Sequence, residues 1–267
     1  MNFVEITGGL GNQMFQYTFS KFLEKITGQT SVLYLNFYDY AKDDPTLSSR
    51  KFELDKFKTD FISVNGTINY RSIVYESDFD ESNPDIILDA FMGYWQNKIY
   101  LNEVSDIIKR EFTFKDNYLS DMIKKVASEM YSQNSVSIHV RRSDYLTMQN
   151  ASLFASLSPD YYEKGLNIIS DECNSDLKVY VFSDDPDYIR ENFDFLRAYV
   201  FEIMPVRSAY EDMYLMTMCK HHIIANSTFS WWGAVLSYHI EGMTIAPRTW
   251  YIGHPNPNLY LSNWITI

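Results

Sequence analysis

Cysteine is scarce in this chain. Two occur in 267 residues, Cys173 and Cys219, with no CxxC spacing, which argues against a disulfide-stapled secreted scaffold. Long apolar runs are missing too: no stretch approaches the roughly 20 residues that span a bilayer. Met1 to Leu10 has no basic segment leading into an apolar one, so no signal peptide is expected. The expected compartment is the cytoplasm, with at most peripheral membrane contact. Positive charge is also short. Lys and Arg number 23 against 35 Asp and Glu, a formal net charge of −12. Such a mean field repels polyphosphate, so nucleic acid is not an expected partner and any phosphate site must be a local basic cluster. The five histidines form no HExxH and there is no GxSxG elbow, which leaves zinc-protease and serine-hydrolase chemistry without support.

What is present is an ordinary folded composition, 46% apolar and 22% charged. Aromatics reach 16%, with 21 Tyr, which suits both core packing and clefts where rings stack on sugars. The chain opens with an apolar run at 2–6, a glycine turn, and then a helical face of Phe15, Phe19, Phe22, Leu23 and Ile26 that Gly28 stops. A strand at 31–36 follows. Residues 37–84 read as irregular, 86–94 as a buried strand, 104–112 as a helix, and 116–131 as a helix with Met122, Ile123, Val126 and Met130 on one face. Beyond Asn134, strands at 135–141, 177–183, 198–203, 221–226 and 243–247 alternate with helices at 159–170, 186–192, 208–220 and 228–238. That alternation demands right-handed crossovers and a parallel, doubly covered sheet, which binds ligands beyond its strands' C-terminal ends.

Three clusters fall at such ends. His139-Val-Arg-Arg-Ser-Asp-Tyr145 places Arg141 and Arg142 beside Asp144. An arginine there is a bidentate clamp for phosphate, or half of an Arg–Asp pair tying the loop. Ser183-Asp-Asp-Pro-Asp187 puts Asp185 before Pro186, the pattern of a helix N-cap. Asp185 and Asp187 also spell DxD, the manganese motif of metal-dependent glycosyltransferases. Capping and helix-dipole complementarity account for both and leave Asp184 over as a nucleotide contact. Asn226-Ser-Thr-Phe-Ser-Trp-Trp-Gly233 starts a helix whose N–H groups, with the Ser227 and Thr228 hydroxyls, suit a phosphate. Simple capping needs the same residues. Trp231 and Trp232 read as core. Gly8-Gly-Leu-Gly-Asn-Gln13 is neither GxGxxG nor a P-loop, but its glycines permit close backbone approach to a ligand.

Taken in order, Gly8 to Tyr17, His139 to Tyr145, Phe182 to Pro186 and Asn226 to Ala234 resemble the inverting alpha-1,2-fucosyltransferases of glycosyltransferase family 11. The resemblance implies a GT-B architecture, two Rossmann-like domains facing a cleft. Domains are expected at 1–132, on the acceptor side with the glycine loop, and 133–267, which holds the donor. The C-terminal tail is a candidate to pack back on the first domain. The donor implied is GDP-fucose, and the acceptor a terminal beta-galactoside glycan, free or lipid-linked. By the same resemblance Arg141 grips the diphosphate, Asp184 reads the guanine, and Ser227, Thr228 and Phe229 hold phosphate oxygens. Gly11 and Asn12 approach the donor from the glycine loop. No cofactor and no metal are implied. Asp144 is the nearest motif carboxylate for the catalytic base, with pairing to Arg142 as its alternative, and His139 orients the phosphate clamp. A non-catalytic binding module and a metal-dependent hexosyltransferase are the rival readings.

Overall fold

The computed structural model describes residues 1–42, 50–82, 88–142, 152–173 and 176–267. They divide into two units, Met1–Lys115 and Asp116–Ile267. The first runs β1 (Asn2–Glu5), α1 (Leu10–Thr27), β2 (Ser31–Tyr34), α2 (Phe37–Tyr40), β3 (Ile62–Val64), β4 (Ile73–Tyr75), β5 (Ala90–Met92), α3 (Lys98–Glu103) and α4 (Ser105–Glu111). Its strands form one parallel sheet in the order β3-β2-β1-β5-β4. α1 ends where Gly28 turns left-handed, φ 65°, so that its N–H reaches the Glu24 carbonyl. Phe19 of α1 stacks on Trp95 with ring centroids 3.6 Å apart, and Phe79, Phe91 and Tyr100 close around them. Much of the aromatic surplus is therefore core rather than sugar platform.

Two parts of this unit differ from the sequence reading. The irregular stretch holds β3 and β4, each three residues long and half exposed. Both are edge strands, so short and exposed that they carry no buried apolar run to detect. The strand expected from 86 begins only at Ala90 among the described residues.

The second unit runs α5 (Asp121–Ser132), β6 (Ser135–Val140), α6 (Pro159–Glu172), β7 (Lys178–Ser183), α7 (Pro186–Asn192), β8 (Val200–Ile203), α8 (Ala209–Met218), β9 (His221–Ile223), α9 (Thr228–Val235), β10 (Thr244–Ala246) and β11 (Ile265–Thr266). Its parallel sheet is ordered β11-β10-β9-β6-β7-β8. Central β6 is buried at all six positions, as a strand covered on both faces must be. Val136, Ile138 and Val140 pack with Leu166 and Ile169 of α6, which leaves Ser135, Ser137 and His139 for the opposite face. Each large apolar side chain so buried contributes about 1.5–3 kcal/mol. Trp231 and Trp232 are fully buried, as expected of core.

The boundary before Asp116 leaves α5 in the second unit, where it packs on α8, rather than ending the first unit at 132. The helix itself starts at Asp121, capped by the Ser120 hydroxyl. Its inner face is Ile123, Ala127 and Met130, while Met122 points outward with 74% exposure. The tail takes a place in the second sheet: β11 runs beside β10, with Ile245 opposite Ile265.

Candidate active site

In the second sheet, sequence order runs one way from β6 to β8 and the other way from β9 to β11. The switch between β6 and β9 is where an open parallel sheet binds ligands. The strings singled out in the sequence leave the C-terminal ends of β6, β7 and β9. Arg141 Nη1 lies 2.9 Å from Asp184 Oδ2, with both side chains about four-fifths buried. The Arg142 N–H donates to Asp184 Oδ1 at 2.9 Å. Arg142 Nε donates to Asp185 Oδ2 at 3.2 Å, and its guanidinium lies 3.3 Å from the centre of the Tyr188 ring. Two arginines are thus held by two consecutive aspartates of the neighbouring strand.

Asp184 is therefore not the left-over carboxylate of the sequence reading. Both of its oxygens receive donors from the arginine string, and it positions Arg141. Arg142 reaches Asp185; Asp144, its alternative partner and the expected base, lies outside the described residues. Asp185 caps α7 as expected, its Oδ1 accepting from the Tyr188 N–H at 3.1 Å behind Pro186. Asp187 is exposed and bonds Arg190 on its own helix. Capping and intrahelical pairing thus account for the DxD. Among the described residues no cluster of three or more His, Cys, Asp or Glu has a metal-holding arrangement.

α9 begins at the end of β9. Ser227 is its N-cap in extended conformation and makes no side-chain cap bond, so capping does not consume its hydroxyl. Asn226 locks the turn, its Nδ2 donating to the Ala155 and Trp250 carbonyls at 3.0 and 2.9 Å. Thr228 and Phe229 form the first turn. The Phe229 ring lies 5.4 Å from that of His139, so His139 faces the helix layer.

The sequence reading missed Asp212. It sits in the first turn of α8, behind a capping box of Ser208 and Glu211. Its Oδ1 is buried with no hydrogen bond. Burial pushes the carboxyl up to about 7, against the pull of Arg207. An acid within a helix buried along Tyr210, Met213, Leu215, Met216 and Thr217 was the signal available.

The first unit carries the glycine loop at the matching place, between β1 and β5, where its strand order reverses. Gly8 has φ +75°, and a Cβ there would sit 3.0 Å from Asn12 Nδ2, so the turn needs glycine. Two buried glutamines hold it. Gln13 Nε2 donates to the Gly8 and Lys51 carbonyls, while its Oε1 accepts from the Glu53 N–H. Gln16 Oε1 accepts from the Thr7 N–H, and its Nε2 donates to Thr7 Oγ1 and the Gly93 carbonyl. Tyr38 donates to the Gly8 carbonyl, and Gln96 to Asn12 Oδ1 at 3.2 Å. Gly11 and Asn12 lie in the first turn of α1. Gln13 and Gln16 were legible as amides on an apolar face but were not singled out.

The model of glycosyl transferase family 11 matches residues 1–267. The chain belongs to glycosyltransferase family 11. The O-antigen biosynthesis glycosyltransferase WbnK of Escherichia coli is 30% identical over 301 residues, covering 98% of this chain and 99% of that protein. An alpha-1,2-colitosyltransferase of Escherichia coli is 30% identical over 269 residues, covering 92% and 91%. Among solved structures, NodZ alpha-1,6-fucosyltransferase co-crystallised with GDP superposes with a TM-score of 0.57 at 13% identity, over 88% of this chain and 91% of that one. An Arabidopsis thaliana FUT1 variant in complex with GDP gives 0.51 at 10% identity, over 91% and 69%. The two parallel sheets of this family 11 glycosyltransferase are those of the GT-B-like fucosyltransferases. No described helix is long and apolar enough to cross a membrane.

Proposed function

We propose that this glycosyltransferase moves fucose from GDP-fucose to the 2-hydroxyl of a terminal beta-galactoside, with inversion and without a metal. The observation that carries the reading is the preset Arg141–Asp184 pair at the switch of the second sheet. Transfer of this kind passes through an oxocarbenium-like state while negative charge builds on the departing diphosphate. Arg141, held beside that charge, and the donors of Ser227, Thr228 and Phe229 at the start of α9 absorb it as it forms. Each such contact is worth roughly 3 kcal/mol, about a hundredfold in rate. His139 flanks Phe229 and orients this end of the site. Gly11 and Asn12 serve the donor from the glycine loop, and Asp144, in the same string as Arg141, takes the acceptor proton.

Guanine recognition passes in this reading from Asp184 to Asp212. Both oxygens of Asp184 already accept from the arginine string, whereas Asp212 Oδ1 is buried with no hydrogen bond among the described residues. Two free cysteines, one of them fully buried, suit a reducing compartment, and we place the enzyme in the cytoplasm. The colitosyltransferase relative favours one second reading, colitose in place of fucose on the same nucleotide. The deciding experiment incubates the enzyme with each nucleotide sugar and lactose, followed by NMR linkage analysis. An alpha-1,2-fucosyl product supports the first reading; transfer of colitose alone supports the second.

A further inference from the structure

All five strands of the first sheet end on one row. Register aligns Val64 with Tyr34 and Tyr34 with Glu5. It then carries Glu5 to Met92, the neighbour of Tyr75. Partners in register point to one side of a parallel sheet. The other side is settled by Phe91, which packs against Phe19 of α1. Val64, Tyr34, Glu5, Met92 and Tyr75 therefore face away from α1. None of them is fully buried, and Tyr75 is 52% exposed. Tyr40 and Tyr70, both exposed, stand near: the Glu5 carboxylate raises the phenols of Tyr34 and Tyr40, and Tyr70 raises that of Tyr34.

Glu5 stands at the point where strand order reverses, beside the glycine loop. Within the described residues its carboxylate has no hydrogen bond and no ion pair. Burial pushes its pKa upward. A carboxylate set among phenols repels phosphate. It accepts hydrogen bonds well from neutral hydroxyls, and exposed phenol rings cover the C–H faces of a pyranose.

We infer that the C-terminal edge of the first sheet is a saccharide subsite, in which Glu5 accepts hydrogen bonds from hydroxyls of the acceptor sugar and Tyr34 and Tyr75 flank its ring. The inference rests on the glycosyltransferase reading and names the residues that select its acceptor. It makes Glu5 a specificity-determining contact.

The test is saturation-transfer NMR on the full chain, with lactose and N-acetyllactosamine as probes and the tyrosine rings irradiated. Wild type should show transfer to at least one disaccharide. Glu5→Gln and Tyr34→Ala should each weaken its binding at least fivefold, while GDP affinity by calorimetry stays within twofold. Tyr75→Ala, at the exposed end of the row, keeps the test open if Tyr34→Ala fails to fold. Saccharide binding unchanged in Glu5→Gln and the tyrosine variants, or absent from wild type, overturns the subsite. A parallel loss of GDP affinity overturns it too, since the defect would then be general. Saccharide binding that depends on Glu5, in a protein that transfers nothing from GDP-fucose, supports the subsite and sinks the donor reading alone.

Discussion

The two units end their sheets in different chemistry. In the second, the strand ends carry full charges in preset pairs, Arg141 with Asp184 and Arg142 with Asp185. In the first, the neutral amides of Gln13 and Gln16 hold the glycine loop, the Arg50 guanidinium lies close to Gly9, and Glu5 stands among phenols with no hydrogen bond or ion pair to the described residues. All five histidines also fall in the second unit, at 139, 221, 222, 239 and 254. The second half is thus equipped to meet a charged ligand and carries every histidine, while the glycine loop of the first is held by glutamine amides that do not titrate. The general point is that two parallel sheets, alike on one side of the switch and different in strand order on the other, can specialise through the last one or two residues of their strands.

The largest expected effect tests the acid asymmetry. Burial lowers His221 to about 4 and His222 to about 3 from an ordinary 6.5. The folded state therefore binds fewer protons than the unfolded one. This stability is complete above pH 6.5 and is lost progressively as the pH falls towards 4. Asp212 works the other way, since its raised pKa favours the folded state as the pH falls from about 7 to below 4. In Asp212→Asn that compensation is gone. Urea titrations of this variant should show the second unit losing roughly 3 kcal/mol between pH 6.5 and 4, allowing for solvent screening. A first unit that loses as much would break the comparison.

Next comes the charge pair. Arg141→Ala should lower kcat at least a hundredfold, about 3 kcal/mol, and Arg141→Lys should recover little of it because a point charge lacks the planar fork. Near-normal turnover would remove Arg141 from the site. On the neutral side, Gln16→Ala strips the Thr7 N–H and the Gly93 carbonyl of their partner. Denaturant unfolding should show a loss of about 2 kcal/mol, and a change under 0.5 would show the amide to be dispensable. The smallest effect is that of EDTA. Initial rates of fucose transfer should stay within twofold in excess chelator. A rate abolished by EDTA, restored by manganese and lost again in Asp187→Ala would make the carboxylates of α7 metal ligands.

The second unit was the more legible in sequence. Regular alternation marked each of β6 to β10, and the N-cap at Asp185 was written in Asp-Pro. The pairing of Asp184 with Arg141 was not, because it depends on which strands are neighbours, and β6 beside β7 is a fact of topology. β3, β4 and β11 escaped detection because they are short edge strands with mostly exposed residues, whereas the equally short β5, β9 and β10 lie inside their sheets and carry buried residues. Met122 was misread because an apolar residue one position off a helical face looks, in a short helix, like part of it. Gln13, Gln16 and Asp212 were missed for one common reason. Each is a polar group inside an apolar pattern, and its value lies in what it meets across the fold.

The Phe19–Trp95 stack has one more consequence. Trp95 is the sole tryptophan of residues 1–115; the other four, at 231, 232, 250 and 264, all lie in the second unit. Its indole is buried against a parallel phenyl ring, so its emission colour and near-ultraviolet dichroism belong to one half of the chain. The molecule comes with a built-in optical label on each unit. Spectra of the native chain, less those of a Trp95→Phe chain, isolate the light from one half and leave the other half's signal as the remainder.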